Sequence, residues 1–194
     1  MKQLRIGDIT IDAVIEREGP WRRPQDFFPA YDEAIFKQHL PSMEPEVFDA
    51  ALGMIVITYQ TFVVRTPRYT ILVDTCTGEN KGHPPPFDFP GKQRWRNELF
   101  ALGIAYDEVD YVFCTHLHID HTGWNTTLRD GRWVPTFPNA KTSSTKRNMR
   151  FGKRSTPAAP TRPAPYSATI AYPSWKPARR FWSMTTMRSM IPLR

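Results

Sequence analysis

The 194-residue chain is poor in cysteine and lacks any long apolar run. Two cysteines, Cys76 and Cys114, exclude a disulfide-rich scaffold, and we expect both to be reduced, buried thiols. No stretch approaches the roughly 20 apolar residues of a membrane-spanning helix, and the first residues contain no apolar signal-peptide core. Phosphate-binding glycine loops and serine-centred nucleophile motifs are also missing. The sequence therefore predicts a cytoplasmic protein without a membrane partner.

Acidic residues are confined to the first two thirds of the chain. Residues 1–130 contain 13 Lys and Arg against 19 Asp and Glu. Residues 131–194 contain 13 Lys and Arg and no Asp, Glu or His. The net charge of +7 is thus an average over two unlike segments. A basic, Pro-rich segment of this kind is typical of a disordered arm that binds nucleic acid or membranes non-specifically.

The most distinctive feature present is the string HLHIDH at residues 116–121, followed by Thr122 and Gly123. Imidazole and carboxylate are ligands that suit zinc and similar divalent metals. At a strand end, His116 and His118 would point to the same side, whereas the adjacent Asp120 and His121 would point apart. One short loop could therefore serve two neighbouring metal ions.

The residues around this cluster predict an α/β arrangement. Tyr111–Thr115 is a short apolar run typical of a buried strand, and Arg94–Leu102 has the periodicity of a helix that Gly103 ends. Met54–Arg65 and Tyr69–Val73 indicate two further strands joined by a turn. The cluster would then lie at the carboxyl end of a strand, where α/β proteins place their sites.

The N-terminal part and one Pro-rich loop are less regular. Residues 1–15 indicate paired strands with a break at Gly7 and Asp8, and residues 16–50 are rich in loop signals, with a short helix at Asp32–His39. Three aromatic residues in that segment could form a substrate wall, although core packing is the commoner role for aromatics; they are Phe27, Phe28 and Tyr31. We expect His83, in the loop 82–90, to be a surface residue.

The strings THLHIDHTGWN (115–125) and ILVDTCTGENK (71–81) resemble the metallo-β-lactamase superfamily, in its lactonase-like and organophosphate-hydrolase-like branch. The resemblance covers residues 1–140 and implies an αββα sandwich, of which residues 1–141 would form an incomplete, N-terminal half. It also implies two zinc ions. His116 and His118 would bind the first and Asp120 and His121 the second, and Asp120 would orient the metal-bound hydroxide that acts as nucleophile.

The resemblance further implies hydrolysis of a small-molecule ester, lactone or phosphoester, with no specific nucleic-acid partner. Asp74, directly after a predicted strand, looks like the family's acid that orients a ligating imidazole. A strand-end cap explains Asp74 equally well.

The family pattern then breaks off, because it requires two more histidines and a bridging aspartate downstream. No histidine follows His121, and the last acidic residue is Asp130. Residues 142–194 are either a functional basic arm or an out-of-frame translation. We tested the second possibility by back-translation, forming each new codon from the third base of one codon and the first two bases of the next. In that frame, residues 182–190 permit the sequence VDDDYEID and residues 141–156 permit DFVHKAEYAVWEAEH. These sequences restore acidic residues and helical periodicity.

We favour the frameshift. The chain as written would hold at most four metal ligands and be inactive. Two alternatives remain, a non-catalytic metal-binding fragment and a nucleic-acid-processing member of the superfamily.

Overall fold

The structure is a computed structural model that describes residues 3–43 and 46–144. Nine strands are present in this part of the chain: β1 (Leu4–Ile6), β2 (Ile9–Arg22), β3 (Phe48–Asp49), β4 (Met54–Arg65), β5 (Thr70–Val73), β6 (Tyr111–Cys114), β7 (Thr126–Arg129), β8 (Arg132–Pro135) and β9 (Lys141–Ser144). The α-helices are α1 (Pro24–Phe27), α2 (Glu33–His39), α3 (Gln93–Ala101) and α4 (Ile119–Thr122). Short 3₁₀ helices lie at Leu40–Ser42, Tyr106–Glu108 and Gly123–Asn125.

Seven strands form one mixed sheet in the order β1-β2-β4-β5-β6-β9, with β3 pairing to β4. The strands from β1 to β5 pair antiparallel. In contrast, β6 is parallel to β5 and β9 is parallel to β6. Because β5 and β6 run in the same direction, their carboxyl ends meet at one edge of the sheet. The remaining strands, β7 and β8, form a separate antiparallel pair.

Local sequence signals account for most of these boundaries. The predicted break between the first strands is a tight turn in which Gly7 adopts a φ of 59°. The predicted strand Met54–Arg65 is β4, and the predicted helix near residue 33 is α2, whose first turn is capped by the Asp32 carboxylate. The expected loop at residues 16–22 is wrong, since β2 continues through Arg22.

Helix α3 supplies the core that lies against the sheet. Trp95 and Leu99 of this helix are fully buried, and Gly103, with a φ of 73°, ends the helix as predicted. Trp95 stacks on Trp124 with ring centres 4.8 Å apart. Other buried apolar residues of the same cluster are Val14, Tyr59, Val63, Leu72, Cys76, Ile104, Val109, Val112, Cys114 and Phe137.

The described part is thus one mixed sheet with a helix packed on it, which matches the expected incomplete α/β sandwich. No helix within residues 3–43 and 46–144 is long and apolar enough to cross a membrane. Strand β9 continues through Ser144, three residues past the predicted boundary at residue 141. Most of the predicted basic tail, residues 145–194, lies outside the described residues.

Two expectations about individual side chains are wrong. Of the two roles considered for these aromatics, core packing is wrong for Phe27 and Phe28, which are 41% and 49% exposed; Phe27 contacts both Phe28 and Trp21 edge-to-face. His83 is only 6% exposed, with its Nε2 3.3 Å from the carbonyl oxygen of Thr77. Burial lowers the pKa of His83, and the nearby Lys92 lowers it further.

Candidate metal centre

The carboxyl ends of β5 and β6 bring Asp74 and the histidine cluster together. Asp74 is the first residue after β5, and its backbone N–H donates to the carbonyl oxygen of Phe113 in β6. Its carboxylate accepts hydrogen bonds from the Thr115 amide at 2.8 Å and the Thr115 hydroxyl at 2.7 Å. Asp74 therefore caps the end of the neighbouring strand, which is one of the two roles considered for it.

The three histidines of the motif lie in contact. The ring centre of His116 is 3.8 Å from that of His121 and 4.7 Å from that of His118. His118 directly precedes α4, whose short helical turn contains both Asp120 and His121. The expectation that these two side chains point apart is wrong, since the Asp120 carboxylate lies 3.5 Å from His121 Nε2. Neighbouring residues on a helix are rotated by about 100° rather than the half-turn of a strand.

His121 lies between two carboxylates. Its Nδ1 is 2.9 Å from Asp74 Oδ2, a contact of opposite charges that lacks the alignment of a hydrogen bond. Burial lowers the pKa of His121, but Asp120 and Asp74 outweigh burial and raise it to about 9. Burial raises the pKa of Asp74, but the contact with His121 and the hydrogen bonds from Thr115 bring it below its usual value. In this arrangement His121 is an imidazolium at neutral pH.

The pKa of His116 is lowered, whereas that of His121 is raised. Burial lowers the pKa of His116, and the neighbouring His121 and His118 lower it further. Its Nδ1 is 3.1 Å from the Thr115 hydroxyl, which also donates to Asp74. His116 is therefore held as a neutral imidazole, the form that binds metals.

Backbone hydrogen bonds join the motif segment, residues 116–124, to the turn after β5, residues 74–78. The amides of Gly123 and Trp124 donate to the carbonyl oxygens of Cys76 and Thr75, at 2.7 and 2.8 Å. In return, the Thr75 amide donates to the carbonyl oxygen of His121 at 2.9 Å. A Cβ atom on Gly123 would lie 1.9 Å from the carbonyl carbon of Thr77, so only glycine fits this crossing.

The two cysteines belong to the core rather than to the metal centre. Both are free thiols, as expected, and both are fully buried. Burial raises the pKa of Cys114 to about 12, and its sulfur accepts a hydrogen bond from the Asn125 side chain at 3.3 Å. A buried thiol with this pKa remains protonated in the metal-free protein.

The donor chemistry of the cluster fits a divalent metal, because imidazoles and carboxylates meet at one sheet edge. In the structure, the Asp74 and Asp120 carboxylates of the cluster form ion pairs with His121. In the parts of the chain that the structure describes, no group of three or more His, Cys, Asp or Glu side chains converges in a metal-holding geometry.

Sequence reasoning missed one residue that supports this centre. Glu16 of β2 is 2% exposed and accepts hydrogen bonds from the turn after β5 and from Trp124. The signal was the alternation along β2, in which Asp12, Val14 and Glu16 all take the buried face. A carboxylate at a buried strand position indicates a polar network beneath it.

Comparisons with known proteins identify the fold family. The profile of the metallo-β-lactamase superfamily matches residues 56–173, more than half of the chain. The chain therefore belongs to the metallo-β-lactamase superfamily, and the predicted assignment to a hydrolase family is confirmed. A comparison with curated protein sequences gives no match.

Three solved structures share the fold. Hydrolase AbOPH of the beta-lactamase superfamily is 22% identical with a TM-score of 0.61, covering 77% of this chain and 46% of its own. AidC, a dizinc quorum-quenching lactonase solved with a product, is 18% identical with a TM-score of 0.63, covering 80% of this chain and 48% of its own. A probable metal-dependent hydrolase from Staphylococcus aureus is 17% identical with a TM-score of 0.57, covering 79% and 52%. The chain thus spans about half the length of these proteins.

Proposed function

We propose that this chain is the N-terminal half of a metal-dependent hydrolase that acts on a small-molecule ester, lactone or phosphoester. His116 and His118 would hold one zinc ion, and Asp120 and His121 would hold a second. When bound, such metals activate water for attack and polarise the substrate oxygen. The substrate class is supported by structural neighbours described as a lactonase and as hydrolases.

One observation carries this proposal: the three histidines and Asp120 of residues 116–121 meet Asp74, from a separate part of the chain, where β5 and β6 end. Each side chain has a defined task. His116 offers a neutral imidazole, Asp120 lies against the His121 ring, and Asp74 orients that ring from its other side. Carboxylates behind a ligating imidazole commonly fix its orientation.

We further propose that residues 142–194 are an out-of-frame translation and that the chain as written lacks the remaining ligands. Two observations support the frameshift: no acidic residue or histidine occurs from residue 131 onward, and the other reading frame permits sequences that contain acidic residues. The family match runs to residue 173 and so includes part of this segment. Sequencing the coding DNA around codon 141 decides the question, and an intact reading frame would contradict the frameshift.

Zinc titration of the 194-residue chain by calorimetry tests the metal site itself. We expect weak binding with fewer than two equivalents, because ligand number sets affinity. His116→Ala should weaken binding by more than about tenfold. His39→Ala, which alters an exposed histidine of α2, should leave it unchanged. Equal binding by His116→Ala would refute the site, and two chelator-resistant zinc ions per chain would refute the loss of ligands.

A further inference from the structure

We propose that Glu16 is a positioning residue that holds the motif segment and the turn after β5 in register, and so sets the metal affinity of the cluster. The metal part of this inference rests on the proposed function. Glu16 belongs to β2, and its carboxylate accepts hydrogen bonds from both chain segments from which the candidate centre is built.

Glu16 lies at a break in strand pairing, on the same buried face of β2 as Asp12 and Val14. The register between β2 and β4 passes from Ile15 opposite Gln60 to Arg17 opposite Tyr59, which leaves Glu16 without a partner. Such β-bulges re-aim side chains and are common beside functional sites. The neighbouring amide of Ile15 donates to Glu98 of α3 at 2.7 Å, so the irregular backbone is fastened to the helix.

The Glu16 carboxylate accepts four hydrogen bonds. One oxygen accepts from the Thr77 amide at 3.0 Å and the Thr77 hydroxyl at 2.6 Å. The other oxygen accepts from the Gly78 amide at 2.9 Å and from the Trp124 indole N–H at 2.7 Å. Two of these residues follow Asp74 closely and the third follows His121 closely, so one side chain joins the two segments.

The chemistry of the network requires a carboxylate rather than an amide. Four N–H and O–H donors converge on two oxygens, and an amide in the same place would present its own N–H groups to some of those donors. The negative charge is compensated through Thr77, whose hydroxyl donates to Glu16 and accepts from Lys92 Nζ at 2.7 Å. Lys92 also donates to the carbonyl oxygens of Gly78 and Phe87. A buried charge that is fully hydrogen-bonded is costly to disturb.

The test compares Glu16→Gln with Asp12→Asn in the full chain. Asp12 is a matched control, because it is another buried carboxylate of β2 but pairs with Arg65 and Gln3 at the far end of the strand. Two readouts are measured, hydrogen–deuterium exchange of residues 75–78 and 121–124 without metal, and Co²⁺ affinity from its visible absorption. We expect Glu16→Gln to speed exchange in both segments and lower Co²⁺ affinity at least about tenfold, the usual effect of losing an outer-shell partner. Asp12→Asn should change neither.

A second pair of variants tests the same inference in case Glu16→Gln does not fold. Trp124→Phe removes the indole N–H that donates to Glu16. Trp95→Phe is its control, because Trp95 stacks on Trp124 but its indole N–H donates to Thr61. Only Trp124→Phe should lower Co²⁺ affinity.

Three results would be decisive against one or both proposals. Faster exchange without a change in Co²⁺ affinity would make Glu16 merely structural, and unchanged exchange in both segments would refute its role altogether. If the unmutated chain binds no Co²⁺ while Glu16→Gln still speeds exchange, the proposed function fails and the joining of the two segments by Glu16 is supported.

Discussion

At the scale of single residues, the contact of His121 with two carboxylates makes the stability of the metal-free protein depend on pH. The pKa of His121 is raised to about 9, so its stabilising charge is fully present below its unfolded pKa of about 6.5 and is lost as pH rises through about 9. The pKa values of Asp74 and Asp120 are lowered, so their contribution is present above the unfolded value and lost in acid. The charged cluster therefore stabilises the fold most between about pH 4 and 6.5.

Asp74→Asn should remove part of this stabilisation. In the presence of a chelator we expect its Tm to lie about 3–6 °C below that of the unmutated chain at pH 6, since it loses a charge contact and part of the Thr115 cap. The difference should shrink as pH rises past 9, where His121 is neutral in both proteins. Thermal melts from pH 5 to 10 measure it, with the exposed Asp26→Asn as control. A difference that does not vary with pH would contradict the charge contact.

Gly123 is constrained by space rather than by charge. A Cβ atom there would overlap the backbone of Thr77, and the crossing of two backbones has no flexible side chain that could give way. Gly123→Ala should therefore lower the free energy of unfolding by about 3 kcal/mol or more. Gly7→Ala, in a turn where a Cβ meets nothing, should cost about 1 kcal/mol through its positive φ alone. Urea denaturation compares them, and equal losses would show that the close approach is relaxed in solution.

At the scale of elements, residue periodicity predicts the main strands and helices correctly, but it does not predict the surroundings of individual side chains. The strand Met54–Arg65, the helix ended by Gly103 and the turn at Gly7 follow from local residue types. His83 was misjudged, because the burial of a loop residue depends on distant partners. The alternation along β2 indicates that Glu16 is buried, but the sequence could not show what it binds there, since its donors come from residues 77, 78 and 124.

Glu98 of α3 fastens the helix to the bulged strand. Its carboxylate accepts from the Ile15 amide at 2.7 Å and pairs with Arg94 one turn earlier. Glu98→Ala should cost about 1–3 kcal/mol, because it leaves a backbone amide without its charged acceptor. Glu33→Ala breaks an exposed pair of the same spacing with Lys37 and should have no measurable effect. Chemical denaturation distinguishes the two, and a neutral Glu98→Ala would mean that water replaces the carboxylate.

At the scale of the whole molecule, the described residues supply a seven-stranded sheet, a separate two-stranded sheet and one short segment of candidate ligands, residues 116–121. The sequence points to these candidate ligands because His116, His118, Asp120 and His121 lie within six residues at a strand end, and their binding of a metal stays a prediction. This chain covers only about half of each of the three solved structures with the same fold. A hydrolytic metal centre needs several ligands held in fixed geometry, since a loosely held metal gives little oriented activation of water or substrate.

If residues 142–194 are out of frame, as we propose, a frame-corrected gene extended through the remaining ligands should yield an active enzyme, and the present chain should be inactive. We expect the corrected protein to hydrolyse lactone, aryl-ester or phosphotriester probes with added zinc, and to lose that turnover after chelation. His116→Ala in the corrected protein should abolish turnover, whereas the exposed His39→Ala should retain it, because only the former lies in the cluster. Chelator-sensitive turnover by the 194-residue chain at a comparable rate would show that its C-terminal residues do not disable it. If the corrected protein binds zinc but turns over none of the probes, the non-catalytic metal-binding interpretation replaces the enzymatic one.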